Sequence, residues 1–291
     1  MITICIVHFK KLARLETTIN HIRAHTTVEY KIRILNQGYI NEDIRRYLSN
    51  LETDGVTVIY HPENIGPAPG RNILFQGIST EYVLSLDDDV YLPSQWFDEI
   101  VSFMDKYQEI GVVGLSLMNP QEKPLPTAKY LNLTPEGVLK TNNYVLPPEG
   151  NKITDNFYHV DYVSEGAMIL RSAVLEHMQW DEKLTVCFEG LDVGLQLRNA
   201  AEKVAVYTGK AAVHDSISRK TGYREYNQYR RNYHEIRKNY LHLVDKWNIR
   251  FSLDRHIFYV VFCRIIPNTI LRLFSLIWLN HIKPVLKKYL H

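Results

Sequence analysis

Cysteine is scarce in this chain, and long uncharged apolar runs are missing. Cys5, Cys187 and Cys263 are far apart and odd in number, and no pair has metal-finger spacing. That excludes a disulfide framework and a zinc finger. The same usage predicts a reducing compartment, the cytoplasm. No window of 18 uncharged apolar residues exists; the nearest approach, Ile257 to Ile282, is broken by Arg264 and Arg272, so no transmembrane helix is expected. The apolar run from Met1 to His8 has no basic region ahead of it and reads as a first strand rather than a signal peptide. Internal repeats and low-complexity tracts are lacking too. An excess of either charge is nearly absent overall, with 34 Lys and Arg against 32 Asp and Glu and a formal net of +2, which argues against a uniformly basic nucleic-acid binder. That figure averages two unlike parts. Residues 1–215 carry 19 Lys and Arg against 28 Asp and Glu, a net of −9, while residues 216–291 carry 15 against 4, a net of +11. No acidic residue follows Asp254.

What is present is an ordinary globular composition, with 45% hydrophobic and 23% charged residues over 291 positions. Strand-length apolar runs alternate with amphipathic helical patterns through the first 120 residues or so. Strands are expected at Ile2–Val7, Lys31–Leu35, Val56–Tyr60, Tyr82–Leu86 and Gly111–Leu117. Helices are expected at Leu12–Ala24, near Glu42–Leu51, from Pro69 to Ile78 and from Ser94 to Tyr107. This alternation predicts an α/β fold, a mostly parallel sheet with helices on both faces. Prolines from Pro120 to Pro148 mark loops or short hairpins. Regularity resumes at Val160–Leu170, with a helix at Leu191–Ala201, a strand at Val204–Tyr207 and a long basic, Tyr-rich helix from Tyr223 to about Val244.

The sharpest local signal is an apolar strand ending in Asp87-Asp88-Asp89. Ligands of open α/β sheets bind at the carboxyl ends of strands. Residues two apart on a strand point the same way, so Asp87 and Asp89 are expected to face one cleft together. Two carboxylates on one side repel unless a cation lies between them, and oxygen ligands suit Mg²⁺ or Mn²⁺. A solvated acidic turn would look the same. A phosphatase-type nucleophile fits less well, because Tyr91 stands where Thr or Val is wanted and the strand is about fourth rather than first.

Together with its surroundings the cluster resembles the D-x-D motif of glycosyltransferase family 2. Ile34-Leu-Asn36-Gln37-Gly38 is similar to that family's D-[DN]-G-S strand end, and Asn64-Ile-Gly66-Pro-Ala-Pro-Gly-Arg71-Asn72 to its N-x-G-x-x-x-x-R-N segment. Ser164-Glu-Gly166-Ala167-Met168 resembles the glycine-rich segment beneath the donor sugar, Trp180-Asp181-Glu182 the F-D-E, and Leu191-Asp192-Val-Gly194-Leu-Gln-Leu197-Arg198 the E-D-x-D-x-x-L-R. The motifs follow the family's order over roughly residues 1–240. The resemblance implies a GT-A, Rossmann-like fold: a catalytic domain over 1–215, with nucleotide-sugar binding in about 1–118 and the acceptor side in about 119–215, and a basic helical extension over 216–291. It implies an inverting, metal-dependent transfer from a nucleotide diphosphate-sugar, UDP-sugar favoured, to an acceptor hydroxyl.

By the same resemblance, Asp87, Asp89 and His214 hold Mn²⁺ or Mg²⁺. His8, Asn36, Asn64, Gly66, Arg71, Asp87, Asp88, Gly166 and Ala167 bind the donor. Asp192 is the general base, with Glu189 in reserve; as a rival to that role, Asp192 would cap a helix beginning at Leu191. Three positions depart from the pattern. Leu191 replaces the usual Glu, Gly194 the second Asp, and Asn36 the Asp that reads the base. Leu191 and Gly194 keep open a different reading, a non-catalytic sugar-nucleotide or glycan-binding subunit. A sugar-phosphate nucleotidyltransferase wants a glycine-rich loop after the first strand, where this chain has His8-Phe-Lys-Lys. Gln228-Tyr-Arg-Arg231-Asn232 resembles Q-x-x-R-W of processive synthases but lacks its Trp, so transfer is expected to be non-processive. Residues 255–291 interleave basic and apolar side chains, including Trp278, as interfacial helices do. A peripheral position at the inner membrane face, a lipid-linked glycan acceptor and a role in bacterial cell-surface glycan assembly are the matching expectations. A helical hairpin packed on the domain or in a dimer is the alternative for that segment.

Overall fold

The computed structural model describes residues 1–185, 187–215 and 233–251. In chain order the elements are β1 (Ile2–His8), α1 (Leu12–His25), β2 (Tyr30–Gln37), α2 (Glu42–Thr53), β3 (Thr57–His61), α3 (Pro67–Phe75), β4 (Tyr82–Asp87), β5 (Val90–Tyr91), α4 (Phe97–Lys106), β6 (Ile110–Met118), β7 (Pro124–Leu125), β8 (Ala128–Leu133), β9 (Val138–Tyr144), β10 (Lys152–Thr154), β11 (Phe157–Val160), β12 (Ala167–Arg171), α5 (Glu189–Asn199), β13 (Lys203–His214), α6 (Tyr233–Trp247) and β14 (Arg250–Phe251). Every strand and helix expected before Met118 is present, with ends moved by a few residues. The basic helix is described from Tyr233 onward; the segments 228–232 and 255–291, with the expectations placed on them, lie outside the described residues. Among the described residues, no helix is long and apolar enough to cross a membrane.

The main sheet has the order β10-β11-β13-β6-β12-β4-β1-β2-β3. Strands β3, β2, β1 and β4 are mutually parallel, as are β6 and β13. Strand β12 lies antiparallel between β4 and β6. The parallel majority follows from helical crossovers; β12 can reverse because the chain reaches it through hairpins rather than a helix. The segment expected to be regular from Val160 to Leu170 is therefore two strands with a turn between them, and Gly166 closes that turn.

Side-chain alternation builds a core on each face. On β1, Ile2, Ile4 and Ile6 enter the cluster that includes Leu15 and Ile19 of α1 and Leu48 of α2. Cys5 points the other way, into the cluster with Leu74 of α3 and Val193 of α5. On β4 the even residues Tyr82, Leu84 and Leu86 join the first cluster, while Val83 joins the second. Ser85 and Asp87 share the parity of Val83, so they face α3. That register decides the site.

Two compact units are distinguished. The larger takes in Met1–Tyr130, Thr141–Thr185 and 189–215. The smaller includes Leu131–Lys140 and, from the later chain, 233–251. Within it β14 runs parallel to β9, with Arg250 opposite Val138 and Phe251 opposite Leu139, and the Tyr240 and Phe251 rings lie 5.5 Å apart.

Candidate active site

Parallel strands β1, β2 and β4 end side by side, with His8 opposite Asn36 and Val7 opposite Asp87. Strand β4 stops at Asp87, and Asp88-Asp89 form a turn before β5. Asp87 and Asp89 are therefore brought together by the turn and not, as expected, by the period of a strand. The turn is pinned at several points. Asp88 Oδ2 lies 2.7 Å from His8 Nδ1 and accepts from the Phe9 amide at 3.3 Å. The Thr18 hydroxyl donates to the Asp88 carbonyl at 2.9 Å, and the Asp215 amide donates to the Asp89 carbonyl at 2.9 Å.

Arg71 enters from α3. Gly66, with a φ of 87° that favours glycine, precedes Pro67 at the helix start, and Arg71 follows one turn later. Its Nε donates to Ser85 Oγ at 3.2 Å and its NH2 to Asp87 Oδ1 at 2.8 Å. The side chain is 7% exposed, which rules out a surface arginine. Asn72, next along, exchanges hydrogen bonds with the Trp180 backbone at 2.9 and 3.1 Å and donates to Glu182 at 3.0 Å. The R-N and W-D-E segments are thus one physical unit, and the Trp180 ring lies 5.8 Å from the Arg71 guanidinium carbon.

His214 is the last residue of β13 and pairs with Val90, so the strand expected to end near Tyr207 runs on to the site. Its Nε2 is 3.4 Å from Asp89 Oδ1. Asp87, Asp89 and His214 each offer one ligand atom, and all three atoms lie within 4.8 Å of one another. Burial, then the Asp88 and Asp87 charges, push the Asp89 carboxyl above its usual range, against a lowering contact from His214. A cation among these oxygens would relieve that cost, so the donor set of two carboxylates and an imidazole fits a divalent ion.

The remaining expected residues fall around this centre. Asn36 is 2% exposed; its amide donates to the Tyr39 carbonyl at 3.2 Å, while its Oδ1 is buried without a hydrogen bond. His8 is fully buried, and its Nε2 also lacks a partner. Asn64 Oδ1 accepts from the Gly66 amide at 3.0 Å, shaping the loop before α3. The Gly166 carbonyl accepts from the Asp87 amide at 2.9 Å, and a Cβ at Gly166 would meet Asp87 Oδ2 at 2.1 Å. Ala167 is buried on β12 opposite Leu86.

Helix α5 begins at Glu189, not Leu191. Asp192 is therefore in the first turn rather than at the cap, because the helix starts earlier than its apolar period suggests. Asp192 is fully buried, and its Oδ2 accepts from Gln196 Nε2 at 2.7 Å. Glu189 is half-buried, one turn earlier on the same helix. A Cβ at Gly194 would meet the Tyr162 side chain at 2.7 Å, so the missing second Asp has a packing reason.

Sequence reasoning missed Arg14, Tyr91 and Asp215. Arg14 NH1 donates to Asp89 Oδ2 at 3.1 Å, its Nε lies 3.3 Å from Asp215 Oδ2, and the Tyr91 hydroxyl donates to that same oxygen at 3.1 Å. Their only local signal was position: Tyr91 lies two residues after the acids and Asp215 directly after His214.

Residues 3–178 match the family profile described as glycosyl transferase family 2. A pre-mycofactocin glycosyltransferase of Mycobacterium tuberculosis is 24% identical over 176 residues, which is 58% of this chain and 35% of that protein. The chain therefore spans about a third of the length of the curated relatives it matches. Among solved structures, GalNAc-T7 with UDP, GalNAc and Mn²⁺ superposes with a TM-score of 0.62 at 13% identity, covering 89% of this chain and 57% of that one. S. aureus TarS 1–349 in complex with UDP-GlcNAc gives 0.58 at 12% identity, covering 84% and 66%. At these identities the likeness is one of fold, and it bears out the α/β, GT-A architecture.

Proposed function

The chain belongs to glycosyl transferase family 2, and from that premise we propose that residues 1–215 carry a metal-dependent, inverting glycosyltransferase. The observation that carries this reading is the convergence of Asp87, Asp89 and His214 within 4.8 Å. The donor is a nucleotide diphosphate-sugar, UDP-sugar favoured; the neighbours crystallised with UDP or UDP-GlcNAc support that choice. The acceptor is a glycan or lipid-linked glycan hydroxyl, and the setting is non-processive cell-surface glycan assembly at the inner membrane face.

The three residues would hold Mn²⁺ or Mg²⁺, which supplies Lewis-acid stabilisation of the leaving diphosphate. Arg71 adds a fixed positive charge beside Asp87. Asn36 lies at the carboxyl end of β2 on the nucleobase side, with its Oδ1 buried beneath the surface, and Gly166 leaves room for the carboxylate beneath the sugar. Asp192, in the first turn of α5, takes the proton of the attacking hydroxyl. Single displacement then inverts the anomeric carbon. The test is transfer or donor hydrolysis across a panel of sugar nucleotides. Activity is expected to vanish with EDTA, return with Mn²⁺ or Mg²⁺, and be lost in Asp89→Ala. Full turnover in EDTA would remove the metal role. Binding without turnover of any donor would favour a non-catalytic subunit.

A further inference from the structure

Arg14 reaches the site from the first turn of α1 and grips only one side of Asp89. Its NH1 donates to Asp89 Oδ2 at 3.1 Å. The other carboxylate oxygen, Oδ1, is the one on the His214 side, 3.4 Å from Nε2. The guanidinium is itself held, because its Nε lies 3.3 Å from Asp215 Oδ2, an oxygen that also accepts from the Tyr91 hydroxyl at 3.1 Å. Arg14 is 15% exposed and Asp89 17%, so water competes weakly for these contacts. A planar guanidinium bridging two carboxylates fixes both in orientation, which a lysine point charge does not.

We propose that Arg14 is a positioning residue that makes Asp89 a one-oxygen ligand and so sets which cation the cluster accepts. Ca²⁺ is large, takes six to eight oxygens and readily draws both oxygens of one carboxylate, whereas Mg²⁺ demands a compact octahedron. With Oδ2 held by Arg14, Asp89 presents Oδ1 alone, which disfavours Ca²⁺ relative to Mg²⁺ and Mn²⁺. Asp215 and Tyr91 act through Arg14. The proposal rests on the metal reading above and concerns its selectivity.

The experiment is Mn²⁺ binding to the full chain, followed by electron paramagnetic resonance, with Ca²⁺ and Mg²⁺ as competitors. Arg14→Met removes a positive charge, which tightens every divalent ion alike, so the ratio of Mn²⁺ to Ca²⁺ affinity isolates the geometric effect. That preference is expected to fall roughly tenfold, the lower end of what outer-sphere partners of metal ligands contribute. Arg14→Lys keeps the charge without the fork and should lower the ratio as well. Asp215→Ala removes the other anchor of Arg14 and should shift it the same way, with melting curves confirming that each variant is folded. A wild-type ratio in Arg14→Met or in Arg14→Lys overturns the proposal. Failure of the unmodified chain to bind Mn²⁺ would instead overturn the metal reading beneath it.

Discussion

Adding one methyl group at Gly166 should disable the site while leaving the fold standing. The Cβ of Gly166→Ala would lie 2.1 Å from Asp87 Oδ2, 2.4 Å from its Cγ and 2.9 Å from Oδ1. Ordinary contact begins near 3.4 Å, so the carboxylate must retreat from 2.1 to 3.4 Å, by about 1.3 Å. Asp87 has little freedom to do so, because its amide is tied to the Gly166 carbonyl and its Oδ1 to Arg71. Displacement of a reacting centre by about 1 Å costs on the order of a hundredfold in rate. Overpacking of this kind costs about 1–3 kcal/mol, and each kcal/mol lowers the melting temperature of a domain this size by roughly 2–4 °C. Gly150→Ala is the control, since no atom lies within 4 Å of its added Cβ. Calorimetric Mn²⁺ titration, melting curves and sugar transfer on both variants give the answer. Wild-type metal affinity and turnover in Gly166→Ala would refute the argument that Gly166 exists to admit the Asp87 carboxylate.

Other expectations concern the base, the metal and the packing beneath Arg71. Asp192→Asn should cut turnover by about 10²–10⁴ with donor affinity nearly unchanged. If Glu189→Gln does this instead, the proton goes to Glu189. Because burial raises the Asp89 pKa, a proton and a cation compete for its oxygens from above the ordinary carboxylate range, so Mn²⁺ affinity should fall on acidification. An affinity that stays flat down to about pH 4, the usual aspartate value, would contradict this. Asn72→Ala leaves the Trp180 backbone groups unpaired and should destabilise the fold by about 1–3 kcal/mol. It should also weaken UDP-sugar binding through Arg71; a melting temperature and donor affinity both unchanged would sink the idea that Asn72 ties these segments together.

Residues 1–118 were legible because their signals are local. Ile2, Ile4 and Ile6 repeat with period two, and Leu15, Ile19 and Ile22 with helical spacing, so β1 and α1 could be read from neighbours alone. Helix α5 was read two residues late because Glu189 and Gly190 are polar or small and carry no apolar period. The polar hairpins between Met118 and His159 gave no length signal, and the reversed strand β12 gave no sign of its direction. The acid triplet is plain in the sequence, but its geometry is not, because nothing local marks that the strand ends at Asp87.

The order of elements, the acids at a strand end and the family's motifs can be read along the chain, since these depend on residues close together in it. What holds the acids in place emerges on folding alone. Arg14 meets Asp89 across 75 residues, Arg71 meets Asp87 across 16, and Asn72 meets Trp180 across 108. The absence of an Asp at position 194 likewise made sense only once Tyr162 was seen packed against Gly194. Such contacts follow from strand order and side-chain parity in the folded sheet, and no local period in the chain records them.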